Sequence, residues 1–213
     1  MAPKAKFTRA QLQEAALALV DEQGLSALSM RTLAGALGTG PMTLYNYVKD
    51  RDELDALVVE AVLAEVKAPR SHGADKENWQ ADVRAIVEAT WRTVRRHPNV
   101  IPLLLTRRTL HDTTLRWAEG LLEALARSGR RDTELLVAFR TVSGFVMGLA
   151  QAQLSGPTAD NADVARAEAL PADRYPRLIE IAKAARGLGP DREFRAGLDI
   201  VMAGLAAGRL RKS

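Results

Sequence analysis

Ala34, Gly38 and Leu44 constrain this chain more than any other feature of its sequence. Ser29 opens a short helical pattern that runs through Leu33 and Leu37 to Gly38. Pro41 suits the first position of a second short helix, which continues to about Tyr47. Two short helices joined by a tight glycine-containing turn make a helix-turn-helix. Ala34 sits where the second helix crosses closely, so it has to be small. Gly38 supplies the left-handed conformation that a sharp exit requires. Leu44 lies ten residues after Ala34 and plugs the gap between the helices, so that Leu33, Leu37 and Leu44 lock a rigid pair.

That packing leaves Thr39, Gly40, Pro41, Met42, Thr43, Tyr45, Asn46 and Tyr47 exposed. Such a helix can enter the major groove of DNA with its first residues at base edges. Thr43 can hydrogen-bond a base or a phosphate, and Pro41 and Met42 offer apolar surface to a thymine methyl. Tyr45 and Tyr47 can reach phosphate through their hydroxyls. Arg31 could take a guanine in bidentate fashion, and Lys49 and Arg51 suit phosphate clamping. The bland alternative stays open on these residues. Helix pairs with a glycine turn are common in all-α proteins, and one of the two tyrosines is expected to pack. The basic count is modest: Lys4, Lys6, Arg9, Arg31, Lys49 and Arg51 stand against Glu14, Asp21, Glu22, Asp50 and Asp52.

The rest of the chain reads as helical throughout. Thr8 and Gln11 form a capping box, with Phe7 and Leu12 as a hydrophobic staple and Gly24 as the stop. Asp50 caps a fourth helix with Glu53 at its third position. The turn-rich stretch Ala68–Gly73 marks a boundary. Longer helices are expected over about 76–97, 99–106, 110–128 and 133–154. A long loop with at most one helical turn is expected over Ser155–Asp173, and two more helices near 174–187 and 190–209. The expected fold is all-α with about nine to ten helices. Residues 1–67 make a DNA-binding head, 68–75 a linker and 76–213 a body for ligand binding and dimerisation.

With 213 residues, 47% hydrophobic and 26% charged, the composition is that of an ordinary globular chain rather than a disordered or fibrous one. It contains no cysteine, which excludes a disulfide framework, a thiolate metal site and a cysteine nucleophile. Its three histidines have no metal-ligand spacing, so no metal and no cofactor are expected. The N-terminus carries charge without an apolar stretch after it, and no apolar run approaches the ~18 residues of a membrane span, so a cytoplasmic location away from membranes is expected. A net charge of +4 is compatible with a nucleic-acid partner.

Phe7 through Leu57 resembles the N-terminal domain of the tetracycline-repressor (TetR) family. The residues that carry the likeness are the Ala15–Leu19 helix, Gly24-Leu25, Ser29 to Ala34, Leu37-Gly38 and the run from Thr43 to Leu54. The last of these follows the Leu-Tyr-x-x-(Phe/Val)-x-x-(Lys/Arg)-x-x-Leu pattern. Asn78-Trp79-Gln80, His97-Pro98, Gly148, Tyr175-Pro176 and Phe194 followed by Gly197-Leu198-Asp199 resemble the family's tetracycline-repressor type of C-terminal domain. The resemblance implies an all-α homodimer that represses transcription at a double-stranded DNA operator and leaves it when a small molecule binds. Some members of the family activate instead. Positions that hold magnesium–tetracycline in some relatives align here with Ile86, Thr90 and Leu103, whereas Thr106 and Arg107 keep the pattern. The expected effector is therefore apolar and not magnesium–tetracycline.

Candidate pocket residues are Trp91, Leu103, Thr106, Trp117, Phe139, Phe145, Met147 and Gln151, since a small-molecule site in a helical body is mostly apolar with a few placed polar groups. Core packing is the alternative for each. Gly144 and Gly148 share one helix face, and Gly197, Gly204 and Gly208 share another. Glycine inside a helix costs about 0.5–1 kcal/mol against alanine, which close helix approach explains. The expectation is a four-helix bundle with a second copy; close packing within one subunit is the alternative. An enzyme would need a base, a nucleophile or a cofactor loop, and no such constellation is present. A purely protein-binding scaffold would not need Thr43, Tyr45 and Tyr47 beside Arg31 and Lys49.

Overall fold

The computed structural model describes residues 6–67, 78–106, 111–154 and 161–208. Among them lie eleven α-helices and no strand. They are α1 (Arg9–Gln23), α2 (Met30–Ala36), α3 (Pro41–Leu44), α4 (Arg51–Ala64), α5 (Trp79–Arg96), α6 (Ile101–Thr106), α7 (Asp112–Ala126), α8 (Asp132–Leu154), α9 (Asn161–Glu168), α10 (Pro176–Ala185) and α11 (Pro190–Ala207). The expected linker at 68–75 and Arg107 fall outside the described residues. The chain forms two compact units, Met1–Gly129 and Arg130–Ser213.

The first unit is built on local capping. The Thr8 side chain takes the Gln11 N–H, and the Gln11 side chain takes the Thr8 N–H, so two donors at the start of α1 are satisfied reciprocally. Ser29 and Thr32 do the same for α2. The Glu53 N–H donates to Asp50 Oδ1 at 2.8 Å to start α4. α1 packs along α4, and α5, α6 and α7 pack on α4 in turn. The head core centres on Leu12, Ala16, Val20, Leu33, Ala34, Leu44, Leu54, Leu57, Val58 and Val62, all buried. Val100 and Leu103 join the same cluster, so the segment after α5 contributes directly to the head core.

The second unit holds α8 to α11. Expectation and structure differ here in two places. The stretch 155–173, read as a loop with at most one helical turn, contains the eight-residue helix α9, which packs on α10. Its Asn, Asp, Pro and Gly content masks a short helix when averaged over nineteen positions. Second, α8 over Asp132–Gln153 has a mean hydropathy of 1.5, enough by length and composition to cross a membrane, although no uninterrupted apolar run marks it. Only 22% of that stretch is buried in the isolated chain.

Candidate nucleic-acid interface and effector cavity

α2 ends in a Schellman motif. The Gly38 N–H donates to Gly35 O at 3.1 Å and the Thr39 N–H to Ala34 O at 2.9 Å, with Gly38 at φ +61°. The left-handed turn redirects the chain so that Gly40 precedes α3 and Pro41 occupies its first position. α3 is shorter than the sequence suggests. The Leu44 carbonyl accepts from both Tyr47 N–H (2.8 Å) and Val48 N–H (2.9 Å), which ends the helix at Leu44 and leaves 45–47 as a turn. Leu33, Ala34 and Leu44 are completely buried between the helices.

This locked pair exposes an apolar tip. Met42 is 77% and Tyr45 50% exposed, beside exposed Arg31, Gly40, Pro41, Asn46 and Lys49, with Thr39 and Thr43 half-buried. Two residues expected on this surface have internal duties. The Tyr47 hydroxyl accepts the N–H groups of Lys6 (2.7 Å) and Phe7 (3.3 Å). Arg51 donates through Nε to Asp55 (2.7 Å) and through Nη1 to Leu28 O (2.5 Å), which ties the start of α4 to the segment before α2. Arg51 therefore braces the head, with its side chain 47% exposed.

Behind the head, a cavity of about 460 Å³ lies among α4, α5 and α7. Leu63, Ala64 and Val66 line it from the end of α4, and Asp82 and Ile86 from α5. Thr113, Arg116, Trp117, Gly120, Glu123, Ala124 and Arg127 line it from α7 and the turn after it. Its size is that of a small-molecule site. Of the eight expected pocket residues, Trp117 lines this cavity. Trp91 is buried core, Leu103 belongs to the head core, and the exposed Thr106 hydroxyl turns back to Pro102 O at 2.8 Å. Phe139, Phe145, Met147 and Gln151 lie on α8 in the second unit, where Phe145 stacks on Phe194 with centroids 5.9 Å apart. Part of this lining is legible in the sequence. Thr113, Arg116, Gly120, Glu123 and Arg127 recur every three or four residues on one face of α7. The partnership of Asp82 with Arg127, 45 residues apart, had none.

Two polar hubs tie α1 to α4 and to the segments flanking α5 and α7 within this unit. Glu60, 4% exposed on α4, accepts from Arg9 Nε (2.9 Å) and Nη2 (2.6 Å) and from Gln13 Nε2 (2.8 Å), with His111 Nδ1 at 3.1 Å. The hydrogen bond to Glu60 raises the Arg9 pKa above the ordinary arginine value, outweighing its partial burial. His97, at the end of α5, places Nδ1 2.7 Å from Asp21 and Nε2 3.1 Å from Glu65. Asn99 Nδ2 donates to Val20 O (3.0 Å) and Asp21 O (3.2 Å) near the end of α1.

The glycines expected at a dimer face divide. A Cβ at Gly197 would stand 2.6 Å from the Phe145 ring, so this glycine serves the packing of α11 on α8 in the same chain. Gly144, Gly148 and Gly204 have nothing of their own chain within 4 Å of such a Cβ. Gly208 lies past the end of α11 as its cap.

The comparisons with known proteins match this architecture. Residues 12–56 fit the model of bacterial regulatory proteins of the tetR family, and residues 72–209 that of the tetracyclin repressor-like C-terminal domain. The chain belongs to the TetR family. It is 32% identical to the HTH-type transcriptional repressor DrrR1 of Streptomyces coeruleorubidus, over 95% of this chain and 78% of that one. It is 33% identical to the class D tetracycline repressor protein of Escherichia coli, over 68% of this chain and 65% of the other. Among solved structures, apo ActR of Streptomyces coelicolor superposes with a TM-score of 0.83 at 31% identity, over 97% of this chain and 98% of that one. ActR has also been solved with (S)-DNPA and with actinorhodin. This TetR-family chain is thus a transcriptional regulator and not an enzyme.

Proposed function

We propose that this regulator is a cytoplasmic homodimeric repressor that holds a palindromic operator and lets go when a small, largely apolar effector occupies the cavity beside Trp117. The observation that carries the reading is the exposure of Met42 (77%) and Tyr45 (50%) on a helix pair whose inner residues are fully buried. A stable head has no use for a large apolar tip in water, and a major groove does. In this reading Arg31, Thr39, Gly40, Pro41, Met42, Thr43, Tyr45, Asn46 and Lys49 face DNA, residues 1–67 form the head, and the rest of the chain binds effector and partner.

The dimer is supported by α8, an apolar helix largely uncovered in one copy, and by the bare glycines Gly144, Gly148 and Gly204. Ile200 on α11 is 75% exposed as well. A second copy would cover these surfaces, and two-fold symmetry would set two recognition helices about 34–36 Å apart, one turn of DNA. Release of DNA cannot exceed the effector's differential affinity for the two states. Leu63 and Val66 belong to the cavity wall and to the head core or its packing, so an occupant would press on the head itself.

The test is a salt-dependent titration of the protein against DNA upstream of its own gene, with a scrambled duplex beside it. Selective binding with two subunits per site and a steep salt slope supports the reading. Tyr45→Ala should abolish selectivity while the melt stays within about 0.5 kcal/mol, as for other surface changes. Equal, weak binding to both duplexes counts against it. Actinorhodin and (S)-DNPA, the ligands of ActR, are the first effectors to try for release of the bound DNA.

A further inference from the structure

Lys6 stands just outside α1, and its position is set from 41 residues away. Its backbone N–H and that of Phe7 both donate to the Tyr47 hydroxyl oxygen. A phenolic oxygen has lone pairs for two such bonds, so its acceptor capacity is used up by the main chain. The Phe7 ring meets Tyr47 edge-on, with centroids 6.1 Å apart. The entry into α1 is thereby pinned to the turn that follows α3.

The pin aims the Lys6 side chain. Its ammonium lies 3.4 Å from Thr39 Oγ1, in the turn that leads into α3, and 5.2 Å over the Phe7 ring. Five described cations near the helix-turn-helix fall into two groups. Arg9 and Arg51 are tied to the buried carboxylates Glu60 and Asp55. Lys6, Arg31 and Lys49 are exposed and have no carboxylate partner among the described residues. A long, exposed hydrogen bond to a threonine does little for stability, and an un-neutralised ammonium offsets no charge in the fold. An ammonium carries three donors; Thr39 takes one, which leaves two for another oxygen.

We propose that Lys6 is a DNA-backbone contact of this head, giving its ammonium to a phosphate beside the start of α3, and that Tyr47 is its positioning residue. The inference rests on the DNA-binding reading above. Phosphate contacts set register and affinity without reading sequence, so Lys6 contributes to affinity on any duplex and not to selectivity. Tyr47 then acts on DNA only through the main chain of residues 6 and 7.

The experiment uses the full chain and a duplex that the wild-type protein enriches from a randomised pool, with a scrambled duplex as control. Association constants are measured against salt concentration by fluorescence anisotropy. Each phosphate neutralised contributes about 0.9 to the slope of log K against log salt. Lys6→Gln should therefore flatten the slope by roughly one per subunit, and weaken binding to both duplexes by the same factor. Lys6→Arg should restore the wild-type slope. Tyr47→Phe removes only the acceptor and should flatten the slope as Lys6→Gln does, with the helical circular dichroism retained. Combining it with Lys6→Gln should flatten the slope no further. A wild-type slope in Lys6→Gln, or a loss confined to the selected duplex, overturns the proposal while the DNA-binding reading stands. A wild-type protein that enriches no duplex overturns that reading, and the proposal with it.

Discussion

The indole N–H of Trp117 donates to the hydroxyl oxygen of Thr90 at 3.0 Å, joining α7 to α5 across the wall of the cavity. Thr90 in turn donates to Ile86 O at 2.8 Å, so its hydroxyl is used in both senses. The same indole packs against the head core. Trp117 is thus held between the cavity and the head core. Trp117→Phe keeps an aromatic wall and removes the bond. It should cost about 1 kcal/mol in urea unfolding, the usual net value of one hydrogen bond, with the helical fold intact. Effector-induced release of DNA should weaken far more than DNA binding itself. Titrating release against effector concentration in the two proteins checks this; parallel losses in both steps would assign Trp117 to folding alone.

The hub at Glu60 leads to a second expectation. Its carboxylate is buried, while the Arg9 side chain that pairs with it is 49% exposed. Removing the partner of a buried charge costs about 3–5 kcal/mol when both are dry. Since Arg9 is half in water, Arg9→Ala should cost less, about 1–3 kcal/mol. Arg9→Ala with Glu60→Gln should recover part of that loss, because no charge is then left stranded. Chemical denaturation of the four proteins of the cycle measures the coupling, and a value near zero would make the pair an ordinary surface contact.

The features legible in the sequence are the ones that act over three or four residues. Thr8 with Gln11, Asp50 with Glu53, Gly38 after α2 and Pro41 at the start of α3 each bind or bend the chain next to themselves, so their roles follow from spacing alone. The resemblance of 29–54 to a family of regulators is carried by the same local pattern. What spacing cannot reveal is a partner far along the chain. The Tyr47 hydroxyl reaches Lys6, Arg9 reaches Glu60 across 51 positions, and His97 reaches Asp21 across 76. For that reason the bonds of the Tyr47 hydroxyl to residues 6 and 7 and of Arg51 to Leu28 O do not follow from spacing. The cavity beside Trp117 is legible only in part: Thr113, Arg116, Gly120, Glu123 and Arg127 share one face of α7 by spacing, whereas Leu63, Val66 and Ile86 join them from α4 and α5.

Gly197 and Gly204 lie on one helix and should respond differently to the same substitution. A methyl at Gly197 meets the Phe145 ring at 2.6 Å, and that ring is stacked on Phe194. Overpacking of this kind typically costs about 1–3 kcal/mol, only partly offset by alanine's helix preference of roughly 1 kcal/mol. Gly197→Ala should therefore lower the melting temperature at any protein concentration. Gly204→Ala meets nothing within 4 Å in its own chain, so it should leave the folded subunit unharmed. If a second copy covers that face, the added methyl should raise the dimer dissociation constant in analytical ultracentrifugation. An unchanged dimer constant in Gly204→Ala would remove this glycine from the interface.

Glu168 at the end of α9 receives Arg186 Nε and Nη2, each at 2.6 Å, in a bidentate pair that ties α9 to the end of α10. The hydrogen bonds from Arg186 hold its carboxyl below the usual glutamate range, against a smaller opposing effect of desolvation, with the charge of Lys183 adding to the shift. The folded value is thus depressed relative to the unfolded one. By linkage, the contribution of this pair is fully present above the unfolded glutamate pKa of about 4.3 and is lost as pH falls through the lower folded value. Both groups lie at the surface, so the effect on global stability should be small and is better read locally. A carbon-13 NMR titration of the Glu168 carboxyl should give a midpoint below that of ordinary glutamates in the wild type. In Arg186→Gln the midpoint should move up into the ordinary range, and the α9 amides should exchange faster with solvent. A midpoint that ignores Arg186→Gln would mean that the pair does not persist in solution and that α9 is held to α10 by packing alone.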